Sequence, residues 1–308
     1  MPKKPMQDVG SAGQRTRRRG RSDTVPASPT LRRRRLAREL LRLREEAGLT
    51  AKQAAAQAKQ LSPERSWFEA KVTRIETRKI QRVRDVDLQT LLDVYRVTDP
   101  GQREDYRRLA REASQSGWWV GYRDVVGVGT YVDFETEASR IRTYQSLFIP
   151  GLLQVEDYAR TVIRAAGVTE QEEIDRRVEV RMMRQHILQR ADAPRLWAVI
   201  DEAAIRKIPP HIARPQLQHL IDVQRASLRV QILPDSVGPH PAMDGSFLIM
   251  DFKLDPPTVY IDQAGSSLFF EGETDLEHYE TVYDHVHAAA LGIEESLAWM
   301  RQYITDLE

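Results

Sequence analysis

Residues 45–58 read EEAGLTAKQAAAQA and residues 72–76 read VTRIE, and these two stretches decide how the N-terminal part of the chain is built. Gly48 stops the helix before it, because glycine enters the left-handed turn at a helix end without a Cβ clash. Thr50 then occupies an N-cap position, and Gln53 three residues on completes a capping box. The helix at 51–59 keeps Ala54, Ala55 and Ala58 on its inner side, and such small residues let a second helix cross at short distance. A turn-like segment around Ser62-Pro63 leads to a helix at 68–78. Its inner face is Val72 and Ile75; its outer face is Glu69, Lys71, Thr73, Arg74 and Arg78.

The periodicity extends outward from this pair. Leu36, Leu40, Leu43 and Ala47 make one apolar stripe on a preceding helix, with Arg32–Arg35, Arg38, Arg42 and Arg44 around it. A helix at 86–95 turns Leu88, Leu91, Leu92 and Tyr95 inward, and another runs over 102–114. These segments predict a compact five-helix domain at 30–115.

Two helices joined by a turn, the second polar on its outer side, have the mechanics of a helix-turn-helix that reads double-stranded DNA. The first helix lies across the backbone and offers its free N–H groups to a phosphate, with Thr50, Lys52 and Gln53 at that end. The second enters the major groove, its N-terminal residues nearest the bases. There Arg74 suits guanine O6 and N7, Glu69 suits cytosine N4, Lys71 reaches guanine or phosphate, and Thr73 serves either. Arg78, Lys79, Arg82 and Arg84 follow at the exit and suit phosphates.

Charge agrees with that reading. The chain has 308 residues and a net charge of +1, unevenly spread. Residues 1–117 hold 28 Lys/Arg against 15 Asp/Glu, a surplus of +13; residues 118–308 hold 18 against 30, or −12. Such asymmetry points to a polyanion partner for one half; the alternative is a basic tail that only aids solubility. Residues 1–29, with Arg15, Arg17–Arg19 and Arg21, are expected to be a disordered basic tail that follows phosphates without reading bases. There is no cysteine, so thiolate metal sites and cysteine nucleophiles are excluded. No apolar run is long enough to cross a bilayer, and the N-terminus lacks the apolar core of a secretory signal, which leads to the expectation of a cytoplasmic, nucleoid-associated protein.

LRRRRLARELLRLREEAGLTAKQAAAQA and KVTRIETRK resemble the helix-turn-helix of the xenobiotic-response-element (Cro/repressor-like) superfamily. LLDVYRVTDPGQREDYRRLAREA, SGWW, EASRIRTYQSLFIPGLLQVEDYARTVI, RLWAVIDEAAIR, VQILPDSVGPHPAMDGSFLIMDF and VYIDQ, in that order, resemble the WhiJ-like regulators, which are antitoxin-like. The resemblance covers residues 29–305. It implies a sequence-specific repressor paired with a small partner protein encoded nearby. Two departures stand out: the turn at 60–66 is longer than the family's, and Arg78 replaces the family's glycine.

After a linker at 116–124, where Trp118 and Trp119 read as packed anchors, helix-like and strand-like segments alternate over 125–308. Strands are expected at 140–144, 195–200, 228–233, 246–252 and 258–262, and helices at 155–166, 170–190, 215–226, 276–290 and 294–305. The chain is thus read as mainly α, with an α+β C-terminal domain. That domain carries no HExxH, P-loop, GxSxG or dinucleotide fingerprint, so no enzyme is expected, and no cofactor or metal. Asp201 and Glu202 fit acidic caps at a strand–helix junction better than catalysis. His278, His285 and His287 lack a completing carboxylate spacing and read as solvated or interface histidines. Two binding roles remain. An acidic domain suits a small partner protein; alternatively the loop PHPAMDGSF at 239–247 lines a small-molecule pocket. Helix-turn-helix readers usually bind as two copies, so a homodimer is expected, and the stripe Leu297, Met300, Ile304 is either its contact or internal core.

Overall fold

The computed structural model describes residues 29–77, 80, 82–115, 122, 130–263 and 266–307. The basic tail expected over 1–29, apart from Pro29, and the linker at 116–124 with Trp118 and Trp119, apart from Tyr122, lie outside the described residues, as do Arg78 and Lys79.

The chain is mostly helical, with two cores. Helices α1 (Pro29–Glu46), α2 (Ala51–Leu61), α3 (Glu69–Glu76), α4 (Asp85–Val94) and α5 (Pro100–Ala113) form the N-terminal head. Its core joins Leu36, Leu40 and Leu43 of α1 to Ala54, Ala55, Ala58, Val72, Ile75, Leu88, Leu91 and Leu92. Gly48 takes φ +69°, which a glycine enters freely, and the Thr50–Gln53 capping box forms in both directions. Helix α5 opens with Asp99 as N-cap and Pro100 in the first turn, where a missing N–H costs nothing.

The second core surrounds a sheet of six strands: β1 (Arg140–Gln145), β2 (Arg195–Asp201), β3 (Leu228–Leu233), β4 (Phe247–Asp251), β5 (Thr258–Gln263) and β6 (Ser266–Phe270). Their order is β3-β2-β1-β4-β5-β6; β1, β2 and β3 are parallel and the remaining pairings antiparallel. Helices α6 (Thr130–Glu137), α7 (Glu156–Ala165), α8 (Gln171–Gln185), α9 (Glu202–Arg206), α10 (Pro210–Asp222), α11 (Glu273–Ala289) and α12 (Ile293–Asp306) complete the domain. Side-chain alternation sorts the sheet into two faces. Leu196, Ala198, Ile200, Val230 and Ile232 meet α6, α10 and α12, whereas Tyr144, Val199, Phe247, Ile249 and Val259 meet α11 through Val282, Tyr283 and Val286.

Three expectations change. The helix read from 215 begins at Pro210, and Pro215 sits inside it. Pro209 and Pro210 supply the N-cap and first turn, so the interior proline forfeits one hydrogen bond on an exposed face rather than starting the helix. Helix α6 occupies a stretch without helical apolar spacing, because two of its carboxylates are buried: Asp133 and Glu135 are 2% and 1% exposed. Glu135 accepts from Arg184 Nε (2.8 Å) and Nη2 (2.7 Å) and from the Tyr131 hydroxyl (2.7 Å). The edge strand β6 was not foreseen. Of the two alternatives for the stripe Leu297, Met300, Ile304, the internal core is the one seen: Met300 is buried, and Leu297 and Ile304 pack against the same core while partly exposed.

The two cores share α1. Leu31 belongs to the sheet domain's core while Leu36, Leu40 and Leu43 belong to the head's. Arg34 lies over the Phe134 ring of α6, 4.6 Å from its centre, and pairs with Glu271. Arg35 and Arg38 both hold Asp255, a buried carboxylate. Part of the charge asymmetry between the halves is therefore neutralised within the molecule.

Candidate nucleic-acid interface

Helix α2 packs across α3 through its alanines, and α3 turns Val72 and Ile75 into the head. The longer turn between them is fixed rather than loose. Ser62 Oγ is 2.8 Å from Thr90 Oγ1, Trp67 is buried, and Arg65 makes a two-pronged ion pair with Asp87 of α4, at 2.8 Å to each oxygen. Asp87 also accepts from Lys71 Nζ at 3.0 Å, and that ammonium sits 3.9 Å from the centre of the Trp67 ring. Asp87 thus ties the turn and α3 to α4.

A second tie lies at the other end of α3. Glu76 is buried, accepts from Arg44 Nε at 3.0 Å to both oxygens, and accepts from the Tyr95 hydroxyl at 3.0 Å. Burial raises its pKa above the usual carboxylate value, opposed by the bonds from Arg44 and Tyr95. With both ends anchored, α3 presents one orientation outward.

That outward side carries Glu69, Thr73 and Arg74, all exposed. Arg74 has no hydrogen-bond or ion-pair partner among the described residues. The Thr73 hydroxyl donates to the Glu69 carbonyl at 3.1 Å and keeps its acceptor capacity. Thr50, Lys52 and Gln53 are exposed at the start of α2, where Gln53 Oε1 is committed to the Thr50 amide at 2.8 Å. Arg82 is exposed after α3. Lys71 departs from the expected outward placement, since Asp87 and Trp67 draw it inward and its side chain is only 15% exposed.

The expected helix at 68–78 is shorter, with Phe68 as N-cap and Thr77 closing it. Phe68 is 51% exposed. It stands at the N-terminal end of α3, the end that the recognition helix of a helix-turn-helix turns toward base edges, and an aromatic ring there is of a kind that suits a thymine methyl group. Arg65, Trp67 and Asp87 were also missed. Nothing in linear spacing couples positions 65 and 87; the one available signal was a tryptophan in a segment otherwise read as a polar turn. In the other domain, Asp201 Oδ1 caps α9 by accepting from Ala203 N at 2.9 Å, and Glu202 accepts from Asp235 N at 2.9 Å. His287 packs edge-on against Trp197 and stacks on Tyr283.

Residues 35–106 match the family model described as a helix-turn-helix domain, which supports a DNA-binding regulator. Among the described residues no helix is long and apolar enough to cross a membrane. Neither the curated proteins nor the solved structures compared with the chain gave a match. Residues 128–302, more than half of the chain, match the model described as a domain of unknown function (DUF5753), and the chain belongs to that family.

Proposed function

We propose that this protein is a sequence-specific transcriptional repressor of the xenobiotic-response-element superfamily, WhiJ-like and antitoxin-like, that binds duplex DNA as a cytoplasmic homodimer. The observation that carries the reading is α3 itself: a helix anchored at both ends on its inner side, with Arg74 exposed and unpartnered on its outer side. A helix already held in one orientation loses little backbone freedom on docking, which favours base reading by its outer side. Arg74 and Glu69 read base edges, Phe68 adds an apolar contact, and Lys52, Arg82 and the start of α2 hold phosphates. The C-terminal domain binds rather than catalyses, and its net negative charge suits a small basic partner protein.

The test begins with genomic immunoprecipitation to find the site. Arg74→Ala is then expected to weaken binding to that site by about 1–3 kcal/mol, or roughly 5–150-fold, and to leave binding to random duplex nearly unchanged. Equal loss on both would reassign Arg74 to phosphate contact, and no affinity for any duplex in dilute salt would end the reading. A second reading, a small-molecule-responsive factor, is favoured by one observation: a cleft in the sheet domain whose wall helix, α6, packs on α1 of the head.

A further inference from the structure

The cleft lies where the order of the sheet reverses. β1 is parallel to β2 on one side and antiparallel to β4 on the other. The loop leaving β1 and the residues entering β4, Gly245 and Ser246, are joined there by the bond from Ser146 N to Ser246 Oγ at 3.0 Å, and together they line one side of a space of about 570 Å³. Gly245 takes φ +141°, a conformation that side-chain-bearing residues avoid. Crevices outside the carboxyl ends of parallel strands, at such a reversal, are where open α/β sheets hold ligands. The volume is within the roughly 300–1,000 Å³ of small-molecule sites.

The wall combines apolar surface with one cation, Arg181, to which no carboxylate of the described residues bonds. Arg181 and Arg184 are one turn apart on α8 and both line the cleft. Glu135 neutralises Arg184 through two bonds. Arg181 has a neutral acceptor instead, the side-chain oxygen of Gln154 at 2.8 Å. Gln154 is buried and held in turn by its bond to the Ile149 carbonyl at 2.7 Å. Glu135 and Asp262 act on Arg181 only at longer range, and Asp262, which lines the same cleft, is exposed. Burial, then the charge of Arg184, pulls the Arg181 pKa down to about 10. A guanidinium offers five N–H donors in a planar fork that matches a carboxylate, and Gln154 occupies one of them.

The geometry points to a binding site for a small organic carboxylate, its acid group on Arg181 and its apolar body against Tyr131, Phe148, Val162 and Tyr260. The inference rests on the small-molecule reading for its consequence and on the cleft alone for its chemistry. The consequence runs through α6. That helix places Tyr131 in the cleft, Glu135 beneath Arg184, Phe134 under Arg34 of α1, and Glu137 at 3.5 Å from Arg32. An occupant that favours one setting of α6 over another shifts the head by that difference in affinity.

Calorimetric titration of the full chain with phenylbutyrate and hexanoate, against their uncharged amides and against sulfate, tests the site without DNA. The carboxylates are expected to bind about tenfold or more tightly than the amides. Arg181→Gln should erase that preference, and Ala165→Trp, at an exposed position on the cleft, should weaken every organic probe. If Arg181→Gln fails to fold, Ala165→Trp and the acid-to-amide ratio carry the test. Equal affinity for acid and amide, sulfate binding as tightly as the carboxylates, or no binding by either carboxylate would overturn the proposal. A parallel titration of DNA affinity separates the two readings: binding at Arg181 that leaves DNA affinity unchanged supports the site and removes the small-molecule regulatory reading.

Discussion

Glu135→Ala should be among the most damaging single substitutions in the sheet domain. The carboxylate is 1% exposed and the Arg184 side chain 13% exposed, and Glu135 accepts three hydrogen bonds at 2.7–2.8 Å. Burial alone would disfavour the Arg184 cation, yet Glu135 and Tyr131 outweigh it and hold its pKa above the ordinary arginine value. Removing the acid strands that cation in a site of low polarity. Breaking a buried pair from one side costs about 3–5 kcal/mol, which for a domain of this size lowers the melting temperature by roughly 6–20 °C. The cost belongs to the stranded charge rather than to the pair. Removing the whole cluster with Tyr131→Phe, Glu135→Leu and Arg184→Met should therefore restore most of the stability, because well-packed apolar replacements of buried pairs are often neutral or better. Thermal unfolding of the full chain, followed by circular dichroism, measures both. A Glu135→Ala protein melting within a degree or two of the parent would refute the reasoning, as would a triple variant less stable than the single one.

Three further outcomes are expected. Asp87→Ala releases Arg65 and Lys71 together, so a double-mutant cycle with Arg65→Ala should give a coupling of about 1–3 kcal/mol in urea unfolding; additive losses would mean that the clamp on the turn is absent in solution. His219 has its pKa lowered by burial, partly offset by Asp222. The unfolded chain therefore takes up the proton first, and stability present above about pH 6.5 should fall as pH drops through the lower folded value; His219→Gln should flatten that part of the melting-temperature profile, and an unchanged profile would assign it elsewhere. Deleting residues 1–28 should lower affinity for all duplexes and reduce the salt dependence of binding, whereas an identical slope would show that the tail makes no phosphate contacts.

Much of the head was legible because its signals are local. The Gly48 stop, the Thr50–Gln53 box and the leucine stripe of α1 each act within a turn or two of helix, and each appears where the spacing places it. Five of the six strands could be read because they are short, largely apolar runs; β2 and β3 are buried on both faces of the sheet and so lack a polar side. What could not be read depends on partners far away in the chain. Lys71 looked like a groove contact because its helical position is outward-leaning, and it was Asp87, sixteen residues on, that drew it in. Helix α6 escaped notice because Asp133 and Glu135 sit where apolar residues are expected, and only Arg184, forty-nine residues away, makes Glu135 affordable. Arg34, Arg35 and Arg38 read as part of a basic surplus, and their acids lie more than two hundred residues downstream.

Because α1 enters both cores as one unbroken helix, it ties the head mechanically to the sheet domain. A rotation of α1 at Leu31 would move Leu40 and Leu43 with it, because all three lie on the same hydrogen-bonded helix. In a dimer, the angle between the two reading helices would then be set by how the sheet domains dock. A small twist at their junction with α1 would alter the phase of one head relative to the other along the duplex, releasing the operator without unfolding either domain.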